Sequence, residues 1–364
     1  MHVDIHYYGT YAMARVAGLK RDVCQTIASA AQFVDANDKD YEVDLRDGGR
    51  LNVIPTAHPL TDIKNTALFE RDQRRVWVPF HFLPGNEGNS MSERLICRKD
   101  SDIAQEMVDH CLSLVDEPFG LYIVGIAAHV YADTFSHYGF SGVSSRWNQV
   151  KGDSIDLLND ERDEGAERHF WSKYNRIFPN WRTFLDGIKS GVAEEATGAL
   201  GHGAALKYPD FPYLQWRFSY EHSEHDPGTS ERNNAETFLE ACEKLYERFR
   251  SFGEDYRDPE IDQDGNFDKI RGVVKDILET KETDRERRGE IWSTAAEDGH
   301  LFPEPEEILP YQGEKWKTSL ENLDGNEDSH AALEEPVFQF FRAAAIYRTY
   351  VLRHLLPAHE LVLD

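Results

Sequence analysis

Residues 119–138 read FGLYIVGIAAHVYADTFSHY, and this stretch decides the fold class. Leu121, Ile123, Val124, Ile126, Ala127, Ala128 and Val130 leave it with no polar face along its first half, and Pro118 stands just ahead of it as a starting point. A helix that is apolar all round is a buried helix. The segment is therefore expected at the centre of a mainly helical protein. Polar residues enter at steps of four: His129, Asp133 and His137. Four residues advance an α-helix by about 400°, so these side chains share one face. His129 and Asp133 can chelate one cation, Asp133 and His137 can reach a second, and a carboxylate between two imidazoles has an oxygen for each. Two imidazoles and a carboxylate in register on a buried helix require a polar partner. Either a metal supplies it, or the three residues form an internal His–Asp–His hydrogen-bonded network.

Working outward, further ligand-type residues stand at isolated places. His2, Asp4 and His6 alternate, so an extended N-terminal segment would point them the same way; His6 can equally open the helix that follows. Asp35 lies on the apolar side of Ala30–Asp35. His81 sits between Phe80 and Phe82, and His202 between Gly201 and Gly203, with Asp210 eight residues on. Flanking glycines favour close approach of a ligand or backbone at His202.

Around these residues the three- and four-residue apolar steps of Tyr7–Asn37 read as helix. Tyr41–Arg46, the turn Asp47-Gly48-Gly49 and Leu51–Ile54 read as a hairpin. Val76–Leu83 reads as a third extended run, with Pro79 marking an edge. Ser101–Val115, Asn180–Ala205, Ala235–Phe252, Phe267–Asp298 and Ala331–Leu356 read as helices, and the Arg285–Arg288 stretch as a helix surface. This predicts a metal-binding helical domain over 1–220, carrying a β-like insertion at about 41–83. A C-terminal helical extension over 232–364 is expected to pack on it as scaffold, lid or partner surface.

Composition narrows the classes. Cys24, Cys97, Cys111 and Cys242 form no C-x-x-C pair, so free thiols are expected and any metal is held by imidazole and carboxylate. The formal net charge of −26 repels phosphate backbones, which disfavours a nucleic-acid polymer as partner. No stretch approaches the ~20 apolar residues of a membrane span, and Met1–His6 lacks the basic and apolar regions of a secretory signal, so the cytoplasm is the expected location. Glu260–Arg271 has an arginine where a calcium loop needs its last acid, which excludes an EF-hand. The oligomeric state is not legible.

The order of candidate ligands over roughly residues 1–215 resembles the zinc-dependent phospholipase C and single-strand-specific nuclease superfamily. His6 resembles that family's N-terminal histidine, and Asp35 its helix-end aspartate. His81-Phe82 resembles its H-F element, and His129 with Asp133 its H-x-x-x-D, Asp133 being the bridging carboxylate. His137 and His202 resemble the remaining histidines, with His2 an additional candidate. Leu206 stands where the family's last carboxylate usually lies, so Asp210 would substitute for it. His137 follows Asp133 by four residues, where six is common. The opening His2–Thr10 also resembles that of a bacterial family from which no activity carries over.

The resemblance implies an all-helical phospholipase C-like domain with two or three zinc ions. It further implies a hydrolase that activates water against a phosphoester, either a small molecule or a lipid headgroup. Asp133 would bridge the metals and Asp35 would double as the base that orients water. The mixed His and carboxylate set also admits iron or manganese. An iron-dependent oxygenase or oxidase on the same ligands, or a non-catalytic metal-stabilised interaction protein, are the alternative readings.

Overall fold

A computed structural model of the chain describes residues 1–58, 73–151, 154–158, 205, 208–222, 230–261 and 266–363. Its architecture is mainly helical. The N-terminus enters a π-helical turn at Asp4–Gly9, continues as α1 (Thr10–Val16), breaks at Gly18, and resumes as α2 (Arg21–Ala36). The single helix expected over Tyr7–Asn37 is thus two. Gly18 adopts φ +95, a left-handed conformation that glycine tolerates and that ends α1. The extended N-terminal segment is likewise corrected to helix: the backbone N–H groups of Ile5 and His6 both donate to the His2 carbonyl at 3.0 Å.

The predicted hairpin is present. Strands β1 (Tyr41–Asp44) and β2 (Arg50–Val53) pair antiparallel, with Tyr41 opposite Val53 and Asp44 opposite Arg50. Val76–Leu83 is not extended. Gln73–Trp77 forms a π-helical turn that runs into a helical turn at Val78–Phe80, which contains Pro79. Among the described residues of 41–83, strand is confined to the hairpin.

Helix α3 (Asp102–Ser113) starts at Ser101, whose hydroxyl accepts from the Ala104 N–H at 3.2 Å. The apolar stretch forms α4 (Gly120–His137) and is the centre of the molecule, as its composition predicts. Short strands β3 (Asp156–Leu157), β4 (Gln215–Arg217) and β5 (Glu231–Asn233) make a second antiparallel sheet that the sequence pattern did not announce. Then come α5 (Asn234–Phe249), α6 (Phe267–Glu279), α7 (Arg285–Glu297), α8 (Gly313–Leu323), α9 (Ser329–Glu334) and α10 (Pro336–Tyr350). The expected run Phe267–Asp298 is two helices, because Asp284 caps a new start by accepting from Glu286 and Arg287.

Helix α4 is enclosed by α2, α3, α5 and α10. One apolar core runs from Met1 to Leu363, so the C-terminal helices share it with the N-terminal ones. A smaller aromatic core, with Phe82, Phe140, Trp216 and Phe218, lies under the second sheet. Each fully buried Ile, Leu, Val or Phe stabilises by roughly 1.5–3 kcal/mol, which makes the α4 surroundings the dominant apolar contribution. The α2–α4 crossing depends on Gly125: a Cβ there would lie 2.5 Å from the Ile27 carbonyl oxygen and 2.6 Å from the Ala30 Cβ. No described helix is long and apolar enough to cross a membrane, and all four cysteines are free and buried.

Candidate metal centre

The polar stripe of α4 is buried: His129, Asp133 and His137 are 0%, 1% and 5% exposed. Asp133 is the hub. Its Oδ2 lies 3.3 Å from His129 Nε2 and 3.6 Å from His137 Nδ1, the i,i+4 neighbours. Other elements bring three more groups to the same carboxylate. His81 Nδ1 is 3.2 Å from Oδ2. His6 Nε2 is 3.2 Å from Oδ1, and the Met1 amino group donates to Oδ1 at 2.9 Å.

Each partner arrives for a local reason. Helix α2 ends at Asn37, whose side chain donates to the Ile54 carbonyl at 2.7 Å while Thr56 Oγ1 donates to the Val34 carbonyl at 2.7 Å. These bonds satisfy a terminal helix carbonyl and tie the end of the hairpin to the end of α2. Asp35 is thereby held at the cluster, with Oδ1 3.9 Å from His129 Nε2 and 4.0 Å from His81 Nδ1. The same junction aims the Thr56 carbonyl at His81 Nε2, 2.8 Å away. Since a carbonyl only accepts, Nε2 carries the proton and Nδ1 faces the cluster. The His81 carbonyl in turn accepts from His137 Nδ1 at 2.8 Å, which turns His137 Nε2 toward Asp210 Oδ1 at 3.4 Å.

Asp210 sits in a 3-10 turn (Tyr208–Asp210) fixed by Asn234, whose amide donates to the Tyr208 and Phe211 carbonyls at 2.7 Å each. The Met1 amino group is 3.2 Å from Asp210 Oδ1.

His6 stacks on His129, with centroids 3.8 Å apart. Among the described residues, neither ring nitrogen of His6, nor Nδ1 of His129, has a hydrogen-bond partner, although all three are buried. A buried polar group left unpaired costs about 1–3 kcal/mol. An internal His–Asp–His network thus accounts for His81 and Met1 but not for His6. Two groups of potential ligand atoms converge within 4.8 Å: His6, His129 and Asp133, and Asp35, His81 and His129.

Electrostatics follow the packing. Burial opposes ionisation of Asp133, but His137, the Met1 ammonium, His129 and His6 outweigh it and hold the carboxyl well below its usual range. Asp35 is lowered in the same way: burial opposes, while His129, His6 and His81 prevail. Burial and then the neighbouring His6 push His129 down to about 4, leaving it neutral at physiological pH with a lone pair to offer. For His81 burial is again opposed, here by the hydrogen bond and charge of Asp133, and its pKa rises. Asp35, with a side chain 33% exposed, is the most exposed member of the cluster.

Of the residues expected at the site, His6, Asp35, His81, His129, Asp133, His137 and Asp210 converge. His2 does not join the ligand groups; its ring packs edge-on against Phe211 at 5.4 Å. Asp4 points away and pairs with Arg288 at 2.5 Å. His202 lies outside the described residues. Sequence reasoning missed the Met1 amino group, the Thr56 carbonyl and Asn234. It also missed Arg288, which is 2% exposed rather than on a helix surface. The signal for Arg288 was its spacing: Gly289, Trp292 and Ala296 continue the same buried face. A backbone carbonyl such as that of Thr56 carries no such signal.

The chain belongs to the family of unknown function DUF6765, whose profile matches residues 1–355. No match was found among curated proteins or among solved structures.

Proposed function

We propose that this member of the DUF6765 family is a metal-dependent hydrolase whose His/Asp cluster holds two or three divalent ions, zinc being the best fit, and acts on a phosphoester. The observation that carries the reading is the convergence of Asp35, His6, His81, His129 and Asp133 around buried imidazole nitrogens that lack hydrogen bonds among the described residues. Imidazole and carboxylate donors without thiolate suit zinc and also accept iron or manganese. Asp35, His81 and His129 would hold one ion, and His6 with Asp133 a second. His137 and Asp210 would contribute to a third. This ligand order is the one that resembles the zinc-dependent phospholipase C and single-strand-specific nuclease superfamily.

When bound, such ions supply Lewis acidity, lowering the pKa of a water toward neutrality and neutralising charge on a phosphoryl oxygen. The chain's own residues do the rest. Asp133 would serve both positions, since its Oδ1 faces His6 and its Oδ2 faces His81 and His129. Thr56 and the His81 carbonyl lock the tautomers of His81 and His137, so that each turns one fixed nitrogen inward. Asp35, ionised and partly exposed, would orient a water and accept its proton. An exposed member also favours an open, catalytic cluster over a closed, purely stabilising one. The acidic surface points to a small-molecule or lipid-headgroup phosphoester rather than a nucleic-acid polymer.

Elemental analysis of the purified protein, joined to turnover of bis(4-nitrophenyl) phosphate with and without chelator, tests the reading. Two or three equivalents of zinc and chelator-sensitive turnover are expected. A full complement of metal without any phosphoester turnover would overturn the hydrolase assignment.

A further inference from the structure

Tyr311 belongs to the linker between α7 and α8, far in sequence from every candidate ligand. Yet its hydroxyl is buried and has no hydrogen-bond partner among the described residues. A buried hydroxyl without a partner costs about 1–3 kcal/mol and is worth keeping only where a partner arrives. This stretch of chain packs against the two elements that carry His6 and Asp35. Tyr7, which follows His6 in the N-terminal turn, donates to the Leu309 carbonyl at 2.7 Å and packs its ring 5.4 Å from that of Tyr311. Trp316 of α8 packs 5.0 Å from Phe33 of α2, two residues before Asp35. Gly313 leaves the phenol its place, since a Cβ there would lie 2.4 Å from the Tyr311 oxygen.

We propose that Tyr311 is a substrate-contacting residue of the metal centre, its neutral phenol donating a hydrogen bond to an oxygen of the bound phosphoester anion at the edge marked by Asp35. The proposal rests on the phosphoester reading of that centre. The phenol stays protonated there: burial raises its pKa, and the charges of Asp35 and Glu314 raise it further. A neutral phenol without a partner is a hydrogen-bond donor that an anionic oxygen can use. Exposed Asp35 leaves such an acceptor a way in.

The test compares zinc-loaded wild type, Tyr311→Phe and Gly313→Ala. It measures metal content, binding of inorganic phosphate by calorimetry, and kcat and KM on bis(4-nitrophenyl) phosphate. Tyr311→Phe is expected to keep its full metal content and melting temperature, while phosphate binding weakens roughly 10- to 100-fold, the range for one hydrogen bond to a charged group. Gly313→Ala, which displaces the phenol but keeps the hydroxyl, should weaken phosphate binding in the same direction. Wild-type phosphate affinity in Tyr311→Phe, or loss of its metal, would overturn the substrate-contact role while leaving the hydrolase reading intact. Failure of the metal-loaded wild type itself to bind phosphate or turn over the diester would remove the phosphoester reading, and this proposal with it.

Discussion

Arg288 Nε donates to Asp4 Oδ2 at 2.5 Å, joining α7 to the N-terminal turn across 284 residues of chain, and both side chains are buried. The remaining guanidinium nitrogens donate to the Thr280 and Ile277 carbonyls at the end of α6. The turn that presents Met1 and His6 to Asp133 is thus anchored by the C-terminal helices. Removing one partner strands the other charge in the core. Asp4→Asn or Arg288→Met should destabilise by about 3–5 kcal/mol, whereas Asp4→Leu combined with Arg288→Met should recover most of the loss. Urea denaturation of the three variants checks this; additive losses would show that the two residues act independently.

Asp133 offers oxygens to groups from three parts of the chain: the N-terminal turn, the turn holding His81 and its own helix. Asp133→Asn keeps the shape but replaces one oxygen by an NH2 group that cannot ligate. At least one equivalent of metal should be lost, measured by elemental analysis. Full occupancy in the variant would argue against a bridging carboxylate.

At Gly125 the central helix touches the backbone of α2. Gly125→Ala must push the helices apart and draw Asp35 away from His129. Overpacking of this kind destabilises by about 1–3 kcal/mol. A lower thermal midpoint and weaker zinc binding are expected together; an unchanged zinc titration would separate the crossing from the site.

Burial opposes the charge of the Met1 amino group, but Asp133, Asp210 and Asp35 prevail and raise its pKa from 8.0 to about 11. A raised folded-state pKa means a contribution to stability that is fully present below the unfolded value, and lost as pH rises through the folded one. His81, also raised, contributes with the same sign from the imidazole range upward. The metal-free protein should therefore lose on the order of a few kcal/mol between about pH 8 and 11. Metal binding has the opposite slope, because ligands must shed protons to coordinate. Denaturation midpoints of metal-free and zinc-loaded protein should diverge as pH rises, and N-terminal acetylation should flatten the metal-free curve. Parallel curves would contradict the buried ammonium.

The hydrogen bonds from His81 Nε2 and His137 Nδ1 predict opposite tautomers for two histidines of one site. Nitrogen chemical shifts of the zinc-loaded, isotope-labelled protein should report a protonated Nε2 for His81 and a protonated Nδ1 for His137. Matching tautomers would mean that the carbonyls of Thr56 and His81 do not set them.

What could be read in advance was what local periodicity controls. The central helix, its buried stripe of His129, Asp133 and His137, and the β1–β2 hairpin all follow from spacings within one element. Val76–Leu83 misled because alternating aromatic residues and a proline imitate a strand, while a helical turn hides the same side chains against two cores. The second sheet escaped notice because its strands are two or three residues long, too short for any period to register.

The amino-acid sequence by itself determined that α4 would be central and that three ligand-type side chains would share its face, since backbone geometry ties residues four apart to one direction. Only the tertiary structure decided which distant groups meet them. The Met1 amine, His6 and His81 reach Asp133, and Asp35 and Asp210 join the cluster, through a glycine that lets two helices touch, an asparagine that binds a hairpin to a helix end, and an arginine that anchors the N-terminal turn. Such convergence is set by close packing between elements, and close packing has no signature in any single stretch of chain.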